Sequence, residues 1–306
     1  MTVNKYSEQF FGRKVVDFSM GDSIAAGSDV VYRLYQEYES EESQQELLND
    51  FLGKIDRSTL DALLIGPWSE SFEVSPQPYL DTLIARRAEL PALKALFVGD
   101  MTYEDCEISW IIQTRYNDLL DAFPELHELR VRGSTQLQLT PFTHNVLQSL
   151  SIETGGLPSA IVNAIAASEL PMLRHLELWL GDDNYGFDGD IQTYAALLNA
   201  IKPERLHTLA LRNATISDGL ATHIAQQPWL GQLHTLDLSM GTIGDVGAQA
   251  LFESPHLAGL EKLDVSHHYI SPQWQAKLKT LPVELVMNDP QDADETDGER
   301  YVEVSE

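Results

Sequence analysis

Residues 216–230 read ISDGLATHIAQQPWL, and residues 243–257 read IGDVGAQALFESPHL, an offset of 27. Aligned, Ile216 meets Ile243, Asp218 meets Asp245, Ala221 meets Ala248, and Ile224 meets Leu251. Pro228 then meets Pro255 and Leu230 meets Leu257. The tetrapeptide LHTL stands at 206–209 and again at 233–236, also 27 apart, and a third copy follows as Leu260, Leu263, Val265 and Ile270. Self-similarity at a fixed period of this size marks a repeat architecture.

The shared core is L-x-x-L-x-L with a further aliphatic residue five positions on. It recurs at Leu60/Leu63/Ile65, Leu93/Leu96/Val98, Leu126/Leu129/Val131 and Leu147/Leu150/Ile152. Leu173/Leu176/Leu178, Leu206/Leu209/Leu211, Leu233/Leu236/Leu238 and Leu260/Leu263/Val265 complete eight copies, spaced 33, 33, 21, 26, 33, 27 and 27 residues apart. A weaker ninth strand, Glu284–Met287, closes the array. Alternation within L-x-L points the leucines to one side of a short strand. The segments between have helical spacing, as in 245–252, where Asp245 is expected to cap its own helix. Helices are also expected over Pro78–Leu90, Glu104–Phe123, Pro158–Glu169 and Ile191–Ile201. One strand and one helix cannot bury their own leucines, but stacked units share a continuous core, with parallel strands lining the inside of an arc.

In these features the chain resembles the leucine-rich-repeat family, in its ribonuclease-inhibitor-like type. The resemblance implies an α/β solenoid, a horseshoe or arc with a parallel concave sheet, outer helices and a non-repetitive N-terminal cap. It covers residues 56–287 and is strongest over 203–271. The family's turn Asn is replaced by Ser134, Ala214, Gly241 and His268, so no asparagine ladder is expected. The segment Glu107-Ile-Ser-Trp-Ile and the ending Tyr-Val-Glu-Val-Ser-Glu are similar to a bacterial subgroup of cytoplasmic leucine-rich-repeat proteins, which implies no defined activity.

The ends differ from the array. Residues 1–55 are expected to form the cap, with a strand at Lys14–Phe18 and a long acidic helix over Asp29–Lys54. Residues 288–306 carry eight acidic residues from Asp289 onward against Arg300 alone, and read as a disordered acidic tail. Over all 306 residues, 20 Lys and Arg oppose 47 Asp and Glu, a net charge of −27. That balance argues against binding a phosphate backbone, which needs clustered Lys and Arg. No apolar run approaches the roughly 20 residues of a membrane span. The first sixteen residues lack a signal peptide's apolar run, so a cytoplasmic location is expected. The lone Cys106 makes neither an intrachain disulfide nor a cysteine zinc site, and reads as a buried filler.

One motif invites an enzymatic reading. Gly21-Asp22-Ser23-Ile24 resembles the nucleophile block of GDS-type esterases, and Asp264-Val-Ser-His267 has the spacing of their Asp-x-x-His. The repeat assignment separates Ser23 from His267 by eight strands, on the order of 35–40 Å at ~4.8 Å per strand, too far for a triad. No catalytic residue, cofactor or metal site is therefore expected. His268 is expected to bond its turn, and adjacent His267 points the other way.

Between the inward leucines, the concave face would present Phe97, Arg130, Glu177, Asp237 and Asp264 in one row. The next row holds Arg132, Glu153, Trp179 and Arg212. Trp and Arg are enriched at binding hot spots, which makes Trp179 the expected anchor. The alternative is that it folds against the loop 181–191. Arg130 and Arg132 could bind a carboxylate or phosphate by bidentate bonds, or neutralise an acidic body. The leading expectation is a non-enzymatic scaffold or adaptor binding a protein or peptide on this face, with acidity favouring a basic partner. The alternatives are a Ser23 hydrolase and an accessory protein that holds a modifying enzyme's substrate. Oligomeric state is left open.

Overall fold

Short alternating strands, each followed by a returning segment, leave parallel pairing as the only way for successive strands to meet side by side. The computed structural model describes residues 3–24, 29–201, 204–293 and 298–306. Among these residues twelve strands form one open sheet in chain order, parallel throughout except for the first pair. They are β1 (Gln9–Phe10), β2 (Arg13–Phe18), β3 (Val30–Leu34), β4 (Ala62–Ile65), β5 (Ala95–Val98) and β6 (Glu128–Arg132). The others are β7 (Ser149–Glu153), β8 (His175–Gly181), β9 (Thr208–Ala214), β10 (Thr235–Asp237), β11 (Lys262–Asp264) and β12 (Glu284–Val286). Eight α-helices are described: α1 (Gln44–Lys54), α2 (Gln77–Ala85), α3 (Asn117–Ala122), α4 (Ser159–Ala166), α5 (Ile191–Ala200), α6 (Ser217–Ile224), α7 (Asp245–Phe252) and α8 (Pro272–Leu278). This α/β arrangement is compatible with a solenoid arc. No described helix is long and apolar enough to cross a membrane.

The register aligns the repeats. Leu63, Leu96, Leu129, Leu150, Leu176, Leu209, Leu236, Leu263 and Leu285 stand in one row across β4 to β12. They pack with helix residues such as Leu83, Leu120, Ile161, Leu197, Leu220, Leu251 and Leu278 into one core. Just before each of the strands β4 to β10 a carbonyl serves two donors of the next unit. Asp61 accepts from Lys94 and Ala95 at 2.8 and 3.0 Å, and Lys94, His127, Gln148, Arg174, His207 and His234 repeat the pattern.

The recurring aspartate works differently from the sequence expectation. Asp218 Oδ1 does not cap its own helix but accepts from Gly244 N and Gly247 N, each at 2.8 Å, at the start of α7 in the next repeat. Asp245 Oδ1 likewise accepts from Ser271 N at 2.7 Å, at the start of α8. A carboxylate at a helix N-terminus satisfies orphan amides and favours the dipole. Here it also fastens one unit to the next. The missing asparagine ladder is replaced piecemeal: Ser134 Oγ donates to Gly156 O, Thr242 Oγ1 to Ala214 O, and His268 Nδ1 accepts from Ile270 N.

Three expectations need correction. Asp29–Lys54 is not one helix: Val30–Leu34 is β3, paired between β2 and β4, and only Gln44–Lys54 is helical behind a capping box at Ser43. Alternating Val-Tyr-Leu suits the pleat better than a helix. Glu104–Phe123 is helical only from Asn117 to Ala122, and the rest runs in turns that leave Trp110 exposed. The tail is not disordered in its described part, because Val302 and Val304 are buried.

Candidate binding face

The sheet face opposite the helices carries the side chains between the core leucines. Its central row runs Asp17, Arg33, Leu64, Phe97, Arg130, Ser151, Glu177, Ala210, Asp237, Asp264 and Val286. Arg132, Glu153, Trp179 and Arg212 lie two residues further along their strands, on the same face. All nine residues expected at the site thus share one surface, but they are not equally available.

At the N-terminal end the apolar part is closed. Phe11 and Gly12 take positive φ (48° and 74°), turning β1 back on β2. Phe10 then lies on Phe97 with ring centroids 6.1 Å apart, covering Val15, Val31, Ala62, Leu64 and Ala95. Phe97 is fully buried and is withdrawn from the binding set.

In the middle the charges neutralise one another. Arg33 bonds Asp17 and Asp100 (2.5 and 2.7 Å), Arg132 bonds Asp100 and Glu153 (3.5 and 2.7 Å), and Arg130 bonds the other Glu153 oxygen. Asp100 and Glu153 side chains are wholly buried, and Arg132 nearly so. Arg132 and Glu153 therefore leave the binding set as well, since their charges are spent on a buried network. A second network follows on β8 to β10: Glu177 accepts from Trp179 Nε1 (2.7 Å) and Arg212 (3.0 Å), and Arg212 reaches Asp237 (3.3 Å). Burial alone would raise the Glu177 carboxyl; His175, Arg212, Trp179 and Arg130 outweigh it and hold the group well below the carboxylate range. Burial raises Asp237, against the opposing pull of Arg212.

Both chain ends run along the edge where the strands finish. The first strap holds Val3 O to Tyr103 N (2.8 Å), stacks Tyr6 over Arg33 (4.2 Å), and bonds Tyr6 to Asp105 and Ser7 to Asp100. The second strap, 300–306, comes from the opposite end of the sheet. The two meet where Val304 and Val3 pack with Ile108, Trp179 and Met240. Trp179 is thus only 8% exposed. The expected anchor is covered by the chain's own terminus, which neither the free reading nor the loop alternative foresaw. The two segments quoted above for their resemblance touch here, with Ser109 Oγ donating to Ser305 O at 2.5 Å. No signal in the repeat pattern pairs segments 196 residues apart.

What stays partly open are Arg130, Glu177, Arg212, Asp237 and Asp264. Asp237 and Asp264 are direct register partners, and each turns one oxygen to the amide of Ser239 or Ser266 (2.9 Å). Ser23 follows β2 and His267 follows β11, nine strand steps away, so the two are not brought together. His267 is buried instead between Asp289 and Tyr301 O (3.0 and 3.1 Å). Cys106 is buried, which pushes its thiol up. Among the described residues no group of three or more His, Cys, Asp or Glu could hold a metal ion. A cavity of about 120 Å³ between α4 and α5 is lined chiefly by Ile165, Leu173, Leu197 and Leu206, with no acid–base pair.

No protein-family model matches the chain, and no curated protein matches it. Among solved structures, it is similar to a structural-genomics crystal structure of a Bacteroides fragilis protein. The two are 27% identical with a TM-score of 0.81, over 90% of this chain and 77% of that one.

Proposed function

We propose that the chain is a leucine-rich-repeat solenoid of the ribonuclease-inhibitor-like type, acting as a non-enzymatic cytoplasmic scaffold that binds a protein or peptide on its concave face. The repeat assignment draws support from the L-x-x-L-x-L copies, their common register and the aspartate links between successive units. One observation carries the binding reading. After both straps are laid down, a strip of half-open charged side chains remains on the late strands: Arg130, Glu177, Arg212, Asp237 and Asp264. Register and ion pairs pre-position it, so a partner meets a surface that needs little ordering. The Asp237–Asp264 doublet, in a chain of net charge −27, favours a Lys- or Arg-bearing segment.

Affinity capture on the immobilised chain tests this. The captured partner should be lost with Asp264→Lys and with added salt, and retained by Val246→Ala on an exposed site of α7. Capture that survives Asp264→Lys and Arg212→Ala together removes the concave strip as the binding surface.

A further inference from the structure

The second strap is held in the manner of a bound peptide. Val302 and Val304 are buried while Tyr301 and Glu306 are exposed and Glu303 and Ser305 half-buried, the alternation of an extended segment with one face in a groove. Its main chain is gripped chiefly by side chains. Asn213 brackets Val304 completely: its Oδ1 accepts from Val304 N at 2.9 Å, and its Nδ2 donates to Val304 O. Tyr269 OH donates to Tyr301 O (3.2 Å), His267 Nε2 lies 3.1 Å from the same oxygen, and Glu303 N donates to Met240 O (2.8 Å). Ser109 takes Ser305 O, and Tyr185 OH donates to Glu306 Oε1 at 2.5 Å.

One glycine keeps room for its main chain: a Cβ on Gly155 would stand 2.3 Å from Ser305 O and 2.0 Å from Ser109 Oγ, which bonds that oxygen. Capture of an extended main chain, with pockets for alternate side chains, is a recurrent mode of peptide recognition.

We propose that this groove, built from Ile108, Ser109, Trp179, Asn213, Met240 and His267, is a peptide-binding site. The chain's own terminus fills it as a tethered ligand. In trans it takes an extended segment of a partner protein with β-branched apolar residues two positions apart, followed by an acidic residue. Tethering gives the cis segment a high effective concentration, so the partner segment binds only by outcompeting it. This groove adjoins the charged strip proposed above, since Trp179 donates to Glu177, but the peptide probe reads the groove and the Asp264→Lys capture reads the strip, so the two failures are distinguishable.

The test uses the 306-residue chain with a protease site inserted between Ala293 and Gly298, cut after folding. The probe is a fluorescein-labelled peptide of the sequence 300–306, RYVEVSE. The cut chain should exchange its terminus for the probe saturably, and the uncut chain should bind it at least ten-fold more weakly. A Val304→Asp probe should lose at least ten-fold, whereas a probe with Val302→Ile and Val304→Ile should stay within ten-fold. Circular dichroism should show the fold unchanged after the terminus leaves. Three results would overturn the proposal: a cut chain that never exchanges, one that unfolds on losing the segment, and equal binding of the Val304→Asp probe.

Discussion

Leu209, Leu236 and Leu263 stand in one register row, and each is fully buried among the same kinds of neighbour. In the two terminal straps no contact resembles another: Phe10 lies on Phe97, Tyr6 on Arg33, and Val304 on Trp179. The ladder is a sum of near-identical units and nearest-neighbour links, so its stability is spread along the chain. The straps are held by contacts that each occur once. The difference separates a sheet built by repetition from an edge closed by singular contacts.

The largest test of that contrast lies where the sheet's own charges are buried. Glu153→Ala strips both Arg130 and Arg132 of a wholly buried partner, and should cost about 4 kcal/mol in urea unfolding. A cost below about 1 kcal/mol would mean that the network is solvated. Next, Leu236→Ala in the ladder should cost about 3 kcal/mol through lost transfer and a residual cavity. Because neighbours share the interface, the loss should appear as one cooperative transition. Asp218→Ala removes the inter-repeat cap on α7 and should cost about 1–2 kcal/mol. If aspartate capped only its own helix, amide exchange would rise in α6 and not at Gly244 and Gly247. Smallest on the global scale, Val304→Ala should cost under about 1.5 kcal/mol. It should nonetheless speed exchange at the amides of Glu303 and Val304 and alter Trp179 emission, leaving the ladder amides untouched.

One pH dependence sharpens the same comparison. The carboxyl of Glu177 is held below its unfolded value, so its ionised form contributes stability at neutral pH, and that contribution falls away as pH drops below about 4. Glu177→Gln should therefore be less stable than the wild type at pH 7. The gap should narrow steadily in unfolding curves taken from pH 5 down to pH 2.

Most of the ladder is legible from its leucines, because each copy of L-x-x-L-x-L restates one packing solution and the copies check each other. Val30–Leu34 escapes that check: it continues the sheet without the leucine pattern, amid charges that suggest a helix. The Asp218–Asp245 offset marks a repeated role, but a single sequence cannot tell a carboxylate that caps its own helix from one that caps the next. Among the expected site residues, facing direction follows from alternation, whereas availability does not.

Period and alternation in the sequence determine that the chain stacks strand upon strand, which residues form the core row and which face away from it. Those properties are local and repeat, so they can be read without coordinates. Only the tertiary structure decides which facing residues are spent on one another and which lie beneath the termini. Glu153 meets its arginines across strands, and Val304 reaches Trp179 after a passage of more than a hundred residues. Such meetings happen once each, through the path of the whole chain, and leave no periodic trace.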